Sequence, residues 1–286
     1  RITVFDLAAR TSTVLFRGEG VWEAPNWSHD GRDLLVNSGG RLYRLGLDGS
    51  APRPLPLDPD LRCNNDHDFS PDGTRLAFSA SSSGSAQSQV YVADADGTHV
   101  TRLVSTPLSY FHGWSPDGHW LSFVGNRDGK QFDIYRLPAA GGPEERLTMN
   151  TGHDDGSDYS RDGRWIYLNS DRSGGGDIWR IPPTGAGADD RLAQRVTGDA
   201  WEDWFPHPSP DGRHLIFISF PAGTVGHSAR NLAVQIRRVP LPGETPGGAT
   251  PDTLASFTGG QGSMNVNSWS PDATRFAYVS YEFAKP

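Results

Sequence analysis

The chain has 286 residues, 26 Lys and Arg against 34 Asp and Glu, a formal net charge of −8 and one cysteine, Cys63. An acidic balance excludes non-specific nucleic-acid binding, which needs a basic surface, and a lone cysteine excludes an internal disulfide framework. No apolar run approaches the ~20 residues of a membrane span, and the 34 glycines and 22 prolines recur at regular places rather than in low-complexity tracts.

In chain order, the first elements are two strand-like runs, Ile2-Thr3-Val4-Phe5-Asp6-Leu7 and Ser12-Thr13-Val14-Leu15-Phe16. A phrase then begins that recurs six times: an apolar or aromatic residue, Ser-Pro-Asp-Gly or a near variant, and a hydrophobic strand. It reads Trp27-Ser28-His29-Asp30-Gly31, Phe69-Ser70-Pro71-Asp72-Gly73 and Trp114-Ser115-Pro116-Asp117-Gly118. It returns as Tyr159-Ser160-Arg161-Asp162-Gly163, Pro208-Ser209-Pro210-Asp211-Gly212 and Trp269-Ser270-Pro271-Asp272-Ala273. The serines are 42, 45, 45, 49 and 61 residues apart, and wrapping from Ser270 through the C-terminus to Ser28 gives 44. Four-stranded propeller blades repeat at roughly 40–50 residues. The expected fold is therefore all-β, a six-bladed β-propeller of antiparallel blades in one domain, 1–286. The long fifth interval holds an insertion, which includes Phe220 to Asn231 and is either a lid or a surface loop.

Each Asp-Gly turn leads into a second strand, such as Leu34-Leu35-Val36 or Leu215-Ile216-Phe217. A third follows, such as Leu42-Tyr43-Arg44-Leu45 or Ile178-Trp179-Arg180-Ile181. β-branched and aromatic residues suit such packed strands. Pro presets φ, Asp caps the turn and Gly takes its left-handed position. Ala273 breaks this rule and is expected to be strained by about 1 kcal/mol. The last blade lacks outer strands, so residues 1–16 are expected to complete it with 264–286 and hide its edges.

The repeat resembles the propeller repeats of the TolB-type family over essentially the whole chain. Asn64-Asn65-Asp66-His67, His112-Gly113-Trp114-Ser115, Trp204-Phe205-Pro206-His207 and Gly259-Gly260-Gln261-Gly262 look like phrases from bacterial TolB-like proteins. Many of those carry only a Tol-transport label, and some TolB-like propellers resemble polysaccharide lyases. The fold alone supports many activities.

The Asp-Gly turns share one face of the ring, here the bottom. The irregular loops that enter the inner strands share the top, where function is expected. Histidines enter from four consecutive blades, and His67 and His112, each three residues before a repeat serine, are expected at equal heights. The candidate catalytic residues are His67, His112 and His207, since imidazole titrates near neutral pH. Asn65, Asp66, Arg127, Asp154, Asp155, Arg172, Trp204, Gln261 and Asn265 are the candidate ligand contacts. His67, His112, His153 and His207 are the candidate set for a divalent metal, Mn, Ca or Zn. Against this stands a plainer reading: histidines that satisfy loop backbones and loop cations that are merely solvated. Trp114 and Trp269 are expected to pack between blades, and Cys63 to be inert.

The leading functional expectation is a funnel that binds or processes a small polar ligand, a carbohydrate or uronic-acid saccharide, as a lyase or hydrolase. The alternatives are a non-catalytic protein-interaction scaffold and a propeller with no specific ligand. No signal peptide is visible, and the compartment of a soluble chain stays open between cytoplasm and periplasm.

Overall fold

Six turns set the period of the structure, a computed structural model that describes residues 1–241 and 250–283. In every turn the repeat serine hydroxyl donates to the aspartate two residues on, at 2.5–2.7 Å. The same oxygen accepts the amide five residues on, at 2.9–3.0 Å. The serine bond is the main reason that Asp72 and Asp117 are drawn down to about 2. Five turns place Gly at φ 68–71°, whereas Ala273 is forced to φ 57°, the strain that its sequence position implies.

From the channel outward, blade 1 is Trp22–Trp27, Asp33–Ser38, Arg41–Gly46 and Arg53–Pro54. Blade 2 is Arg62–Phe69, Arg75–Ser82, Ser85–Asp94 and Thr101–Val104. Blade 3 is Ser109–Trp114, Trp120–Gly125, Asp133–Pro138 and Glu145–Arg146. Blade 4 is Asp154–Tyr159, Ile166–Ser170, Asp177–Ile181 and Gln194–Arg195. Blade 5 is Glu202–Pro208, His214–Phe220, Leu232–Pro240 and Asp252–Gly259. In blade 6, Arg275–Val279 pairs with Ile2–Asp6, which pairs with Thr11–Phe16. Its innermost segment is reduced to one bridge, Trp269 to Phe276.

The core lies between blades. Leu35 and Leu42 of blade 1 pack with Phe69, Leu76 and Phe78 of blade 2; Ala77 and Val90 of blade 2 pack with Phe111 and Phe123 of blade 3. Second strands are thus covered on both sides, which explains why they read as continuous apolar runs. The N-terminal strand serves two such layers. Ile2 joins the layer with Trp27 and Leu34, and Phe5 joins the one with Ile216 and Phe220, stacked on Phe276 at 4.9 Å. Trp114 and Trp269 staple neighbouring blades, their indole N–H groups donating to the carbonyls of Asp68 (3.1 Å) and His207 (3.0 Å).

Each inner strand of blades 1 to 5 slips register near its middle, between Glu23 and Asn26, Cys63 and His67, Phe111 and Gly113, Asp155 and Asp158, and Trp204 and His207. Such bulges re-aim side chains. Ala24, Gly156 and Phe205 take left-handed φ of 55°, 61° and 54° there. At Gly156 a Cβ would also come within 2.5 Å of the Asn169 side-chain oxygen.

Two outcomes follow for stability. Ala273→Gly should stabilise the fold by about 0.5–1 kcal/mol, because relief of left-handed strain exceeds the entropy cost of glycine; chemical denaturation measures it, and a loss of stability would refute the account. Deleting residues 1–16 removes two interblade layers and bares the edge of Arg275–Val279, so the product should aggregate. A stable, soluble, monomeric truncation in size-exclusion chromatography would show that the closure is dispensable.

Candidate functional site

The bulges of five blades meet above the channel and shape a cavity of about 650 Å³ that opens on the top face. Its wall takes Glu23 and Asn37 from blade 1, Asn64, Asn65 and Asp66 from blade 2, and Tyr110 and His112 from blade 3. His153, Phe205 and Gln261 add to it from beyond, with Phe132 between His153 and Tyr110. His227 and Arg230 come from the long insertion after Phe220.

Asp155 is the electrostatic centre. Three imidazoles surround its carboxylate: His112 Nε2 at 2.8 Å, His227 Nε2 at 3.3 Å and His153 Nε2 at 3.8 Å. The His112 approach is oblique, so this contact is an ion pair more than an aligned hydrogen bond. Burial would raise the Asp155 pKa, but the imidazoles outweigh burial and hold it well below the usual carboxylate range. Burial disfavours the imidazolium of His112 and of His153, yet Asp155 reverses the balance and raises both. Rings fix these histidines in place: His112 stacks on Phe205 at 6.2 Å, and His227 lies 4.5 Å from Trp204.

Asp66 has the opposite character. Burial pushes its pKa up, even though Asn64 and Asn265 donate to it at 2.6 and 2.5 Å. The cavity therefore holds one carboxyl biased toward ionisation and one biased toward the neutral acid. On the insertion side, Arg230 pairs with Glu23 at 2.7 Å, and the Tyr281 hydroxyl donates to the same carboxylate at 2.9 Å.

The sequence candidates separate into groups. Asn65, Asp66, His112, His153, Asp155 and Gln261 line the cavity. Asn265 supports Asp66 from behind, and Trp204 backs His227. His67 and His112, at matching places along their strands, face different ways. His112 is the residue bulged out of its ladder and turns to the cavity, whereas His67 stays paired with Phe78 and bonds the Ala24 carbonyl at 3.0 Å. Burial pushes His67 down to about 4, so it is neutral. His207 lies deeper, 3.1 Å from Asp158, and burial lowers it to about 3. Arg127 is bound to Glu144 at 2.9 Å, and Arg172 to Asp154 at 2.9 Å and Asp190 at 3.3 Å; the three candidates Arg127, Arg172 and Asp154 serve ion pairs beside the blades rather than the cavity.

A divalent ion does not fit the proposed histidine set. His67, His207 and the pair His112 and His153 each engage a different partner, and among the described residues no group of three or more His, Cys, Asp or Glu is arranged to hold a metal. The candidate set left out His227, Arg230 and Glu23, although Glu23 stands in a top-face entry loop and the other two in the insertion that could act as a lid. The available signal was a histidine and an arginine inside an insertion on the top face. The braces Asn37, Ser79 and Asn169 were also missed, although each lies nine residues after a repeat serine. Among the described residues no helix is long and apolar enough to cross a membrane.

The charge pattern fixes a pH response. His112, raised, contributes stability that is complete below the unfolded value of ~6.5 and is lost as pH rises through its folded pKa. Asp155, depressed, contributes above ~4 and loses its share as pH falls through its folded pKa. In Asp155→Asn, the His112 and His153 titrations followed by NMR should both drop below their wild-type midpoints, and the thermal midpoint should lose its maximum between about pH 4 and 6.5. Unmoved histidine midpoints would sink the assignment of Asp155 as their common partner.

Comparison with known proteins places this geometry in a family. A model of the TolB β-propeller domain matches residues 111–240. Atu1656 of Agrobacterium fabrum is 42% identical over 282 residues, covering 98% of this chain and 92% of that one. A solved structure from Agrobacterium tumefaciens, described as "putative TolB", is 41% identical and superposes with a TM-score of 0.90 over 99% of this chain and 98% of its own. TolB of Acinetobacter baumannii shares the fold at 20% identity, with a TM-score of 0.65 over 85% of this chain and 60% of that one. By repeat, ring and near full-length identity, this chain belongs to the TolB-type β-propeller family.

Proposed function

We propose that the upper cavity binds an acidic saccharide, one carrying a uronate carboxylate. The observation that carries this reading is a local charge reversal. The chain as a whole is at −8, yet in the cavity Arg230 and the raised His112 and His153 stand beside Glu23 and the depressed Asp155, while burial biases the third carboxyl, Asp66, toward the neutral acid. The volume of about 650 Å³ falls in the ~300–1,000 Å³ range of small-molecule sites. Asn37, Asn64, Asn65 and Gln261 offer amide groups for hydroxyls, and Tyr110, Phe132 and Phe205 offer ring faces for a sugar.

The split between Asp66 and Asp155 supports acid chemistry on such a ligand. When environments push two carboxyls apart in pKa, the neutral one is the proton donor. Asp66, as the neutral acid, is then the group that donates a hydrogen bond to an oxygen of the bound saccharide. His112, held as an imidazolium, orients the ligand carboxylate and is a poor base. No step is assigned to a metal, because the histidines do not converge on one.

Titration calorimetry with digalacturonate and a neutral disaccharide tests this. Digalacturonate should bind at about pH 6 and weaken at least ~5-fold by about pH 8.5 as the histidines lose their protons; the neutral sugar should bind more weakly with no pH dependence. His153→Ala should reproduce the alkaline loss at pH 6. Equal, pH-independent binding of both sugars would overturn the acidic ligand. Silence of both would transfer the mouth to a protein segment, for which Val225, 99% exposed in the insertion, and Val21, 41% exposed at the rim, provide apolar contacts.

A further inference from the structure

The channel has a second mouth, on the bottom face, that the upper cavity does not use. Its rim is the set of residues that directly follow the repeat serines: His29, Pro71, Pro116, Arg161, Pro210 and Pro271. The rim is exposed or half-buried, so it is open to solvent. Aromatic side chains, among them Trp27, Trp114 and Trp269, form the walls of a cavity of about 130 Å³. At its end stand two carboxyls from blades two places apart in the ring, Asp68 of blade 2 and Asp158 of blade 4, with Asn26 and Asn267.

The amides tie this end together and leave one acceptor over. Asn26 Nδ2 donates to Asp68 at 2.8 Å and to the Asn267 carbonyl at 2.8 Å. Asn267 Nδ2 donates to Asp158 at 3.1 Å, while its own side-chain oxygen accepts the Trp269 amide at 3.3 Å. The side-chain oxygen of Asn26, a residue only 2% exposed, has no partner. A buried unpaired carbonyl is costly, and this one lines the cavity beside the two acids.

We infer that the lower mouth binds a primary ammonium group, seated on Asp68, Asp158 and the side-chain oxygen of Asn26. An ammonium has three N–H donors, and three acceptors are offered. A calcium or magnesium ion needs about six oxygen ligands; these side chains carry five, and two of them, Asp68 Oδ1 and Asp158 Oδ2, already accept hydrogen bonds. The proline and aromatic walls suit an unbranched methylene stem. Burial pushes Asp158 to about 8, and burial with repulsion from Asp158 pushes Asp68 to about 7, so at about pH 6.5 the empty pair is largely neutral and an arriving cation displaces protons. The other charged or titratable groups facing the pair are His207, neutral beside Asp158, His112 above Asp158, Tyr159 in the wall, and His29 and Arg161 at the rim. Arg161 opposes a cation, so Arg161→Ala should tighten binding.

The probes are n-butylammonium chloride and Nα-acetyl-lysine amide, titrated calorimetrically into the intact protein, beside tetramethylammonium, Ca²⁺ and Mn²⁺. The expected result is saturable binding of butylammonium with release of about one proton at pH 6.5 and almost none at pH 9.5. Tetramethylammonium, which has no N–H, should bind at least tenfold more weakly, and Asp68→Asn/Asp158→Asn should lose at least tenfold. If that variant does not fold, carboxyl ¹³C shifts of Asp68 and Asp158 in the unmodified protein give the same reading, moving on addition of butylammonium. Comparable binding of the lysine amide assigns the site to a protein side chain, and its rejection assigns it to a small free amine. Equal binding of tetramethylammonium, tighter binding of either metal, or no binding of any primary amine would overturn the proposal.

Discussion

The arrangement on which the rest depends is the brace that each of three second strands extends to the next blade. Asn37 donates to the carbonyls of Cys63 (3.0 Å) and Asn64 (2.7 Å). Ser79 accepts the Phe111 amide at 2.6 Å, and Asn169 accepts the Phe205 amide at 3.1 Å. These groups sit where the inner strands leave their ladders. A bulge frees backbone N–H and C=O groups, and a buried free group is costly. The brace satisfies them from the neighbouring blade and so fixes both the bulge and the angle between blades. Because of it, His112 faces the cavity while His67 remains in the wall, and the upper funnel has its shape.

The channel is electrostatically polarised along its axis. At the top, Asp155 is kept anionic by imidazoles. Lower down, Asp158 rises to about 8, and its imidazole neighbour His207 falls to about 3, because burial dominates both and the cations His112 and Arg161 offset too little of it at Asp158. The same two residue types thus form a charged cluster in one layer and a neutral pair in the next. The difference is the number of partners: three rings around Asp155, one beside Asp158.

The ring itself was legible in the sequence because its signal is covalent and periodic. Serine spacing counts the blades, and the orphan strands at residues 2–16 have only one place to go. The site was legible in part. The top-face loops point to Asp66, His112, His153 and Asp155, which line the upper cavity, since any loop entering an inner strand must end there. Sequence could not show which side of the strand each residue takes, because one bulged residue inverts the alternation. That is why His67 and His112, at the same offset from their serines, part company. Arg127 and Arg172 were indistinguishable from ligand-binding cations because no local pattern encodes the chain paths that bring Glu144, Asp154 and Asp190 to them. His227 reached the site through an insertion, where periodic reasoning has nothing to extrapolate.

Ring closure by residues Ile2–Asp6 also sets the order of events during folding. Ile2 pairs with Val279, so the last contact joins the two ends of the ring. Contacts of such sequence separation form slowly, and on the ribosome this pairing must wait until strand 275–279 has emerged. Blades 1 to 5 can assemble by neighbour-to-neighbour growth, as repeat proteins do, leaving an open chain of blades with two bare flanks. The sixth blade is where opening should begin in the finished molecule, since its innermost segment is held to the sheet by a single bridge. The lifetime of the native ring is then governed by this seam rather than by the summed burial of the other five blades.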